Sequence, residues 1–138
     1  MIRVASNQDI NRINEIGLLI KEDFEKVFNI KEELQKDYVQ IYVYEEDNNI
    51  LGFLHTEYHF EITDIVNIAV DINNQNKGIG YELVNYLINN TQSEKIMLEV
   101  RESNTNAISL YTKCGFKEIH RRKNYYGNED AIIMERSI

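Results

Sequence analysis

Three features in the second half of the chain have residue types and spacings that could carry chemistry. Gly78 and Gly80 stand where a helix is predicted to begin, and the unpaired N–H groups of such a helix start attract phosphates. Glu99 interrupts an otherwise apolar strand, where a carboxylate is costly unless it is solvated or used as a base. Tyr111 lies on the apolar stripe of a later helix and could donate a proton. These residues together predict a phosphate-bearing ligand and proton transfer.

Each of these features has a simpler interpretation. The glycine loop could be an ordinary turn between a strand and a helix that binds nothing. Glu99 could lie on a half-exposed face or pair with Arg101, and Tyr111 could serve packing alone. Two ligands are disfavoured by spacing: a dinucleotide fingerprint needs a third glycine where Leu83 stands, and the Gly-Lys-Ser/Thr of a Walker loop does not occur.

Length and composition predict a single domain that spans residues 1–138. Hydrophobic residues make up 43% and charged residues 28% of the chain, and no apolar run approaches the roughly 18 residues of a membrane span. No signal peptide is evident at the N-terminus. We therefore expect a soluble, cytoplasmic protein with no membrane partner.

The formal net charge of −8 belongs entirely to the first half of the chain. Residues 1–66 hold 14 acidic and 6 basic side chains, whereas residues 67–138 hold 9 of each. Nucleic-acid binding is disfavoured because it requires a net basic face. No metal site is expected, since Cys114 is the only cysteine, and His55 and His59 would stand about 13 Å apart along one strand.

Hydrophobic periodicity and turn signals then give the elements that must position these residues. We predict an α/β (α+β) fold with a mixed, mostly antiparallel sheet of about seven strands flanked by four helices, in the order β-α-α-β-β-β-α-β-α-β-β. The predicted strands are Ile2–Ala5, Tyr38–Glu45, Ile50–Tyr58, Glu61–Val70, Lys95–Arg101, Phe116–Asn124 and Asp130–Arg136. The predicted helices run from Ser6 or Asn7 to Asp23, from Asn29 to Lys36, from Gly78 to Asn90, and from Asn104 or Thr105 to Cys114.

Several sequence blocks resemble a known enzyme superfamily. The arrangement Gln75-x-x-Gly78-x-Gly80 resembles the acetyl-coenzyme A signature of the Gcn5-related N-acetyltransferase (GNAT) superfamily. Within that superfamily, four further blocks resemble the bacterial ribosomal-protein-alanine N-acetyltransferases called RimI. They are Asn67 to Asp71, Leu98 to Phe116, Arg122 to Tyr126, and Asp130 to Met134.

The resemblance implies an acetyl-CoA-dependent acyltransferase, with acetyl-CoA as co-substrate and direct transfer to a primary amine. It implies Glu99 as the general base and Tyr111 as the general acid. It also implies that eleven residues hold acetyl-CoA, by backbone or side chain: Ile68, Ala69, Val70, Gln75, Asn76, Lys77, Gly78, Ile79, Gly80, Tyr81 and Asn104.

The same resemblance implies that the acceptor is a protein N-terminus, such as the alanine of a small-subunit ribosomal protein. A small amine, a lysine side chain and a non-catalytic CoA-binding subunit remain as alternatives. Because the acidic surplus precedes Asn67, we expect the first helices to form an acidic cleft wall opposite the Tyr125-Tyr126 loop and to favour basic peptides. The residues expected in that wall are Glu22, Asp23, Glu25, Glu32 and Glu33.

Overall fold

The computed structural model describes all 138 residues and contains seven strands and five α-helical segments. The strands are β1 (Ile2–Val4), β2 (Val39–Glu46), β3 (Asn49–His59), β4 (Ile62–Val70), β5 (Lys95–Arg101), β6 (Lys117–Arg122) and β7 (Ala131–Ser137). The helices are α1 (Ile10–Gly17), α2 (Phe24–Val27), α3 (Ile30–Glu33), α4 (Ile79–Asn90) and α5 (Thr105–Lys113), with 3₁₀ turns at Asn7–Asp9 and Ile72–Asn74. The predicted fold class is confirmed.

All seven strands belong to one sheet, in the order β1-β2-β3-β4-β5-β7-β6. Only β4 and β5 run parallel, because α4 forms the crossover between them. Side chains alternate between the two sheet faces, so Phe53 packs with α1 to α3 while its neighbour Leu54 packs with α4 and α5. The sheet is therefore the middle layer between two separate hydrophobic clusters.

The parallel pairing of β4 and β5 stops halfway along both strands. Only Ile62 to Ile65 pair with Lys95 to Leu98, although β4 continues to Val70 and β5 to Arg101. A β-bulge lies where the two strands separate, since His55 faces Asn67 and Thr56 faces Ile65, which leaves Val66 without a partner on β3. A bulge bends its strand. The bend directs the second half of β4 away from β5 and opens a cleft between them.

The first helix ends six residues before the predicted end at Asp23. The phenyl ring of Phe24 packs directly against Gly17 and occupies the space that a side chain at that position would need. Phe24 is fully buried, so the chain must turn after Gly17 to bring the ring back onto the helix. The segment predicted as a bend, residues 25–28, instead lies mostly in the single turn α2. The helix after Asn29 begins as predicted but ends at Glu33 rather than Lys36.

None of the helices is both long enough and apolar enough to cross a membrane.

The Gly17–Phe24 contact predicts an unusual response to a helix-favouring substitution. Alanine is preferred over glycine in helices, but Gly17→Ala should lower the free energy of unfolding by about 1–3 kcal/mol because its methyl group would overlap the Phe24 ring. Urea denaturation measures the change. Asn11→Ala, at an exposed position of the same helix, is the control and should be neutral or stabilising. Equal stability of Gly17→Ala and wild type would contradict this account of the helix end.

Candidate active site

The cleft between the separated ends of β4 and β5 has a volume of about 1310 Å³. The start of α4 and one side of α5 complete its walls. This volume exceeds the roughly 300–1,000 Å³ typical of small-molecule sites. The cleft is therefore large enough for an extended ligand together with a second reactant.

Backbone polar groups of β4 face this cleft. The N–H of Asp71 bonds to the carbonyl of Leu51, and antiparallel pairs alternate between hydrogen-bonded and non-bonded positions. Asn67 and Ala69 therefore direct their backbone groups towards β3, whereas Ile68 and Val70 direct theirs towards the side where β5 is missing. The Ile68 and Val70 N–H groups are thus available to a ligand carbonyl.

The loop before α4 presents further N–H groups at the other end of the cleft. Gly78 begins the helix with a φ of 83°, Asn76 has a φ of 65°, and no side chain caps the helix start. The first-turn N–H groups of Ile79, Gly80 and Tyr81 consequently have no partner within the helix. A side chain at Gly78 would meet nothing within 4 Å, so the approach is open. This arrangement suits a phosphate or pyrophosphate.

Two sets of hydrogen bonds hold the loop in place. The Gln75 side chain donates to the Val70 carbonyl at 3.1 Å and ties the loop to the end of β4. Arg12 of α1 contacts Asp71 at 3.0 Å and donates to the carbonyl of Ile50 on β3. Burial acts to raise the pKa of Asp71, but hydrogen bonds from Arg12 and from the loop hold that pKa below its usual value. Asp71 therefore stays ionised and anchors the loop to α1.

Glu99 lies on the side of β5 that no helix covers. Of the interpretations given above for Glu99, the half-exposed face agrees with the structure: Ile96, Leu98 and Val100 are buried, whereas Glu99 and Arg101 are exposed. The Glu99 side chain is 33% exposed, so its charge stays solvated and it can exchange a proton with water. Its carboxylate accepts a hydrogen bond from the Tyr126 hydroxyl at 3.3 Å.

The Tyr126 ring extends from the β6–β7 loop over this end of the cleft. The Arg101 guanidinium lies 3.9 Å from the centre of the ring, a cation–π contact. Arg122 approaches the other oxygen of Glu99 at 3.9 Å. Burial, together with the neighbouring Glu99 carboxylate, raises the pKa of Tyr126, so its hydroxyl remains a donor to Glu99. Tyr126 therefore orients the carboxylate.

Tyr111 has the opposite environment on the opposite wall. Its side chain is buried on α5, with only 5% of the residue exposed, and its ring packs on Phe116. Burial, with a smaller contribution from Cys114, raises the pKa of the phenol well above its usual value. The hydroxyl bonds to no protein group, and the residue lines the cavity. The phenol is thus a protonated donor directed at the ligand space.

The cavity brings together both predicted catalytic residues and all but one of the predicted acetyl-CoA residues. Lys77 does not line the cavity, and its amine bonds to Asn74 at 3.2 Å instead. Asn104 lines the cavity, but its side-chain oxygen caps α5 by accepting from the Ala107 N–H, so only its NH₂ group remains free. Packing also favours glycine at position 80, since a Cβ there would lie 3.3 Å from a side-chain carbon of Leu110.

The prediction of an acidic wall is wrong. None of the five acidic residues lines the cavity, and the turn after α1 contributes the apolar side chains of Leu19 and Ile20 instead. Glu33 is buried beside Lys36 and His55. The error follows from the early end of α1, because the turn after Gly17 brings Leu19 and Ile20 to the cleft. Among the lining residues Glu99 is the only acid, whereas Arg101 and Lys113 are basic.

Sequence reasoning placed Tyr126 near the acceptor but gave it no chemical role. It considered Arg101 only as a possible partner of Glu99, and it assigned no role in the cleft to Leu19 or Ile20. The adjacent Tyr125-Tyr126 pair in a polar loop was the only local signal for Tyr126. Its contact with Glu99 spans 27 residues of sequence and depends on the pairing of β5 with β7.

Comparison with known proteins identifies the family to which this fold and cleft belong. Residues 8–116 match the model of the Acetyltransferase (GNAT) family, so the chain belongs to the GNAT family. It is an acyltransferase of a family that uses acetyl-CoA, and the predicted superfamily membership is confirmed.

Two of the similar proteins bear the name of one particular enzyme. The ribosomal protein bS18-alanine N-acetyltransferase of Haemophilus ducreyi is 34% identical over 153 aligned residues, which cover 97% of each chain. The crystal structure of the ribosomal-protein-S18-alanine N-acetyltransferase of Escherichia coli has a TM-score of 0.86 at 30% identity and covers 100% of this chain and 93% of that one. The predicted resemblance to the RimI enzymes is therefore confirmed.

A further similar structure contains the co-substrate. The GNAT acetyltransferase of Elizabethkingia anophelis, with acetyl-CoA bound, has a TM-score of 0.77 at 26% identity and covers 100% of this chain and 97% of that one.

A pair of glycines with the same backbone geometry can test the loop before α4. Gly78 and Gly127 have φ values of 83° and 88°, and both have open space where a Cβ would stand. Alanine at either position should cost about 1 kcal/mol of stability through the same backbone strain. Only Gly78→Ala should also weaken acetyl-CoA binding, by about tenfold or more, because it displaces the N–H groups of the loop. Calorimetric titration of both variants measures this, and equal affinities would refute a phosphate site at Gly78.

Proposed function

We propose that the protein transfers the acetyl group of acetyl-CoA to the N-terminal α-amine of a protein, with the alanine of a small-subunit ribosomal protein as its substrate. One observation carries the proposal. A single cavity contains the unoccupied N–H groups of β4 and α4, a solvated carboxylate at Glu99 and a buried, protonated phenol at Tyr111. We also propose that residues 1–138 form one domain, since one sheet includes strands from both ends of the chain.

Features of the cleft support binding of three parts of acetyl-CoA: the pyrophosphate, the pantetheine arm and the acetyl group. The N–H groups from Gly78 to Tyr81, supported by Gln75, would bind the pyrophosphate, and the free NH₂ of Asn104 would add a donor. The Ile68 and Val70 N–H groups would bind the pantetheine arm and the acetyl carbonyl. The exposed Lys77 would contribute charge at the surface rather than a contact inside the cleft.

The chemistry then divides between the two walls. The neutral acceptor amine, which has already released its ammonium proton to solvent, attacks the thioester carbon, and Glu99 removes a proton from the attacking nitrogen, directly or through water. A β4 N–H stabilises the oxygen as negative charge develops on it. The carbon–sulfur bond breaks, and Tyr111 protonates the departing thiolate. Glu99 has then gained one proton and Tyr111 has lost one, and exchange with solvent restores both.

An α-amine suits this site better than a lysine side chain does. An α-amine has a pKa near 8, whereas lysine has one near 10.4, so supplying the neutral nucleophile at pH 7 costs about 3.3 kcal/mol less. A solvated carboxylate is a modest base, so a site that relies on it favours the amine with the larger neutral fraction. The names of the Haemophilus and Escherichia relatives, both alanine N-acetyltransferases of ribosomal protein S18, support the same acceptor.

The charge of the cleft disfavours a polyamine acceptor. A polycation needs several carboxylates, and the lining provides only Glu99 against Arg101 and Lys113. The Leu19, Ile20 and Tyr126 side chains instead offer an apolar wall, which suits a small N-terminal residue followed by a peptide chain.

A panel of acceptors tests the proposed function directly. Acetyl transfer should be fastest to a peptide with a free N-terminal alanine and should be lost when that terminus is already acetylated, even if the peptide contains a lysine. Mass spectrometry locates the acetyl group. Faster acetylation of the lysine or of spermidine would contradict the α-amine assignment. Binding of acetyl-CoA without transfer to any amine would instead indicate a non-catalytic CoA-binding subunit.

Removal of the base should affect turnover rather than binding. Glu99→Gln keeps the side-chain size and should lower kcat by about 100-fold or more while leaving the affinity for acetyl-CoA unchanged. Glu135→Gln is the control, because Glu135 lies on the neighbouring strand β7 outside the cavity and pairs with Lys95. Wild-type turnover in Glu99→Gln would show that Glu99 is not the general base.

Removal of the phenol hydroxyl should separate catalysis from packing. Tyr111→Phe keeps the ring that packs on Phe116, so the melting temperature should change little while kcat falls. Tyr86→Phe, in α4 and outside the cavity, provides a matched loss of a hydroxyl and should retain full activity. A large fall in melting temperature with normal specific activity would show that Tyr111 serves only the core.

A further inference from the structure

One buried titratable side chain has no part in the chemistry described above. His55, on β3, is completely inaccessible to solvent and lies between the helical layer and the cleft. Its Nε2 lies 3.3 Å from a Glu33 carboxylate oxygen, at an angle that gives no hydrogen bond. Its Nδ1 lies 3.2 Å from the Asn67 side-chain nitrogen. A polar ring in the core is costly, so its presence calls for a role.

The partners of the ring determine its protonation. A ring nitrogen that carries a proton is attracted to the Glu33 carboxylate, so the proton belongs on Nε2, and Nδ1 then accepts from the Asn67 NH₂. Burial lowers the pKa of His55, against the opposing effect of Glu33 and Glu57. The neutral ring is therefore the form that holds Asn67.

This hydrogen bond lies beside the bulge that opens the cleft. His55 and Asn67 are the last facing pair before the register shift, and Val66 is the extra residue next to them. If β4 slipped by one position, Val66 would face His55, and the side chains from Val66 to Val70 would change faces. The His55–Asn67 bond exists only in the bulged register, and Asn67 itself lines the cavity.

Neighbouring side chains pack around the His55 ring. Phe28 packs edge-on against it with ring centres 6.1 Å apart. Glu33 is itself paired with Lys36 and belongs to α3, whose start is capped by Asn29. A continuous set of contacts thus joins the helical layer to β4 through His55.

We propose that His55 is a positioning residue for acetyl transfer: its ring, placed by Glu33 and Phe28, holds Asn67 and so fixes the bulge that directs the Ile68 and Val70 N–H groups into the cleft. The proposal rests on the proposed binding of acetyl-CoA along β4. It gives the α3 segment a specific influence on the site, although α3 lines no part of the cavity.

Three variants on β3 separate positioning from general stability. His55→Leu removes the acceptor, and His55→Gln offers a side-chain oxygen that can replace Nδ1. Thr56→Val is the control, because Thr56 is equally buried on the next position but bonds to the Gln40 carbonyl, away from β4. The readouts are the affinity for acetyl-CoA by calorimetry and the amide hydrogen-exchange rates of residues 67 and 69, whose N–H groups are directed at β3 beside the bulge.

His55→Leu should weaken acetyl-CoA binding by about tenfold and speed exchange at residues 67 and 69, and His55→Gln should restore most of both. Thr56→Val should lower the melting temperature without changing affinity or exchange at these two amides. Wild-type affinity and exchange in His55→Leu would overturn the proposal, as would an equal effect of Thr56→Val.

Two further outcomes remain decisive. If His55→Leu does not fold, Asn67→Ala must speed exchange at the same amides, and unchanged exchange there would overturn the proposal. If the wild-type protein binds no acetyl-CoA, the proposed function fails, while the exchange rates still decide whether His55 fixes the bulge.

Discussion

The cleft depends on the early end of one strand pairing. β4 and β5 share only four residue pairs, and beyond Ile65 the bulge at Val66 directs β4 away from its neighbour. A fully paired β4 would use the N–H groups of Ile68 and Val70 in the sheet, and no space would remain between the strands. The backbone donors of the site are available because the sheet leaves them unpaired, which is costly unless a ligand or water satisfies them.

The surrounding elements place two acidic groups in opposite environments on the two sides of this gap. β5 pairs with β7 along its whole length, and its uncovered face keeps Glu99 a third exposed and in contact with Tyr126. α5 buries Tyr111 against Phe116, which raises the pKa of the phenol. A solvated carboxylate that can accept a proton and a buried phenol that can donate one are the two groups that the proposed mechanism uses.

Much of this arrangement could be predicted from local sequence signals. The strand, glycine loop and helix around Gly78, the exact limits of β5, and the Asn104 cap of α5 all follow from patterns of residue types within a few positions of one another. Twelve of the thirteen residues named in advance line the cavity, Lys77 being the exception. Their roles remain predictions until the variants are measured.

The features that sequence reasoning missed depend on contacts between distant residues. α1 ends early because Phe24 returns to pack on Gly17, and the expected acidic wall is replaced by Leu19 and Ile20 for the same reason. The choice between the two interpretations of Glu99 also needed such contacts, since it depends on no helix covering the far side of β5. The bulge at Val66 has no turn residue to mark it and appears only in the register between β3 and β4.

A crystal structure of the protein with acetyl-CoA tests the central claim most directly. The account predicts the pyrophosphate at the N–H groups of Gly78 to Tyr81 and the thioester carbonyl about 2.9 Å from a β4 N–H at Ile68 or Val70. It also predicts the sulfur within hydrogen-bond reach of the Tyr111 hydroxyl. A coenzyme bound outside the gap between β4 and β5, or a thioester that touches neither β4 nor Tyr111, would contradict it.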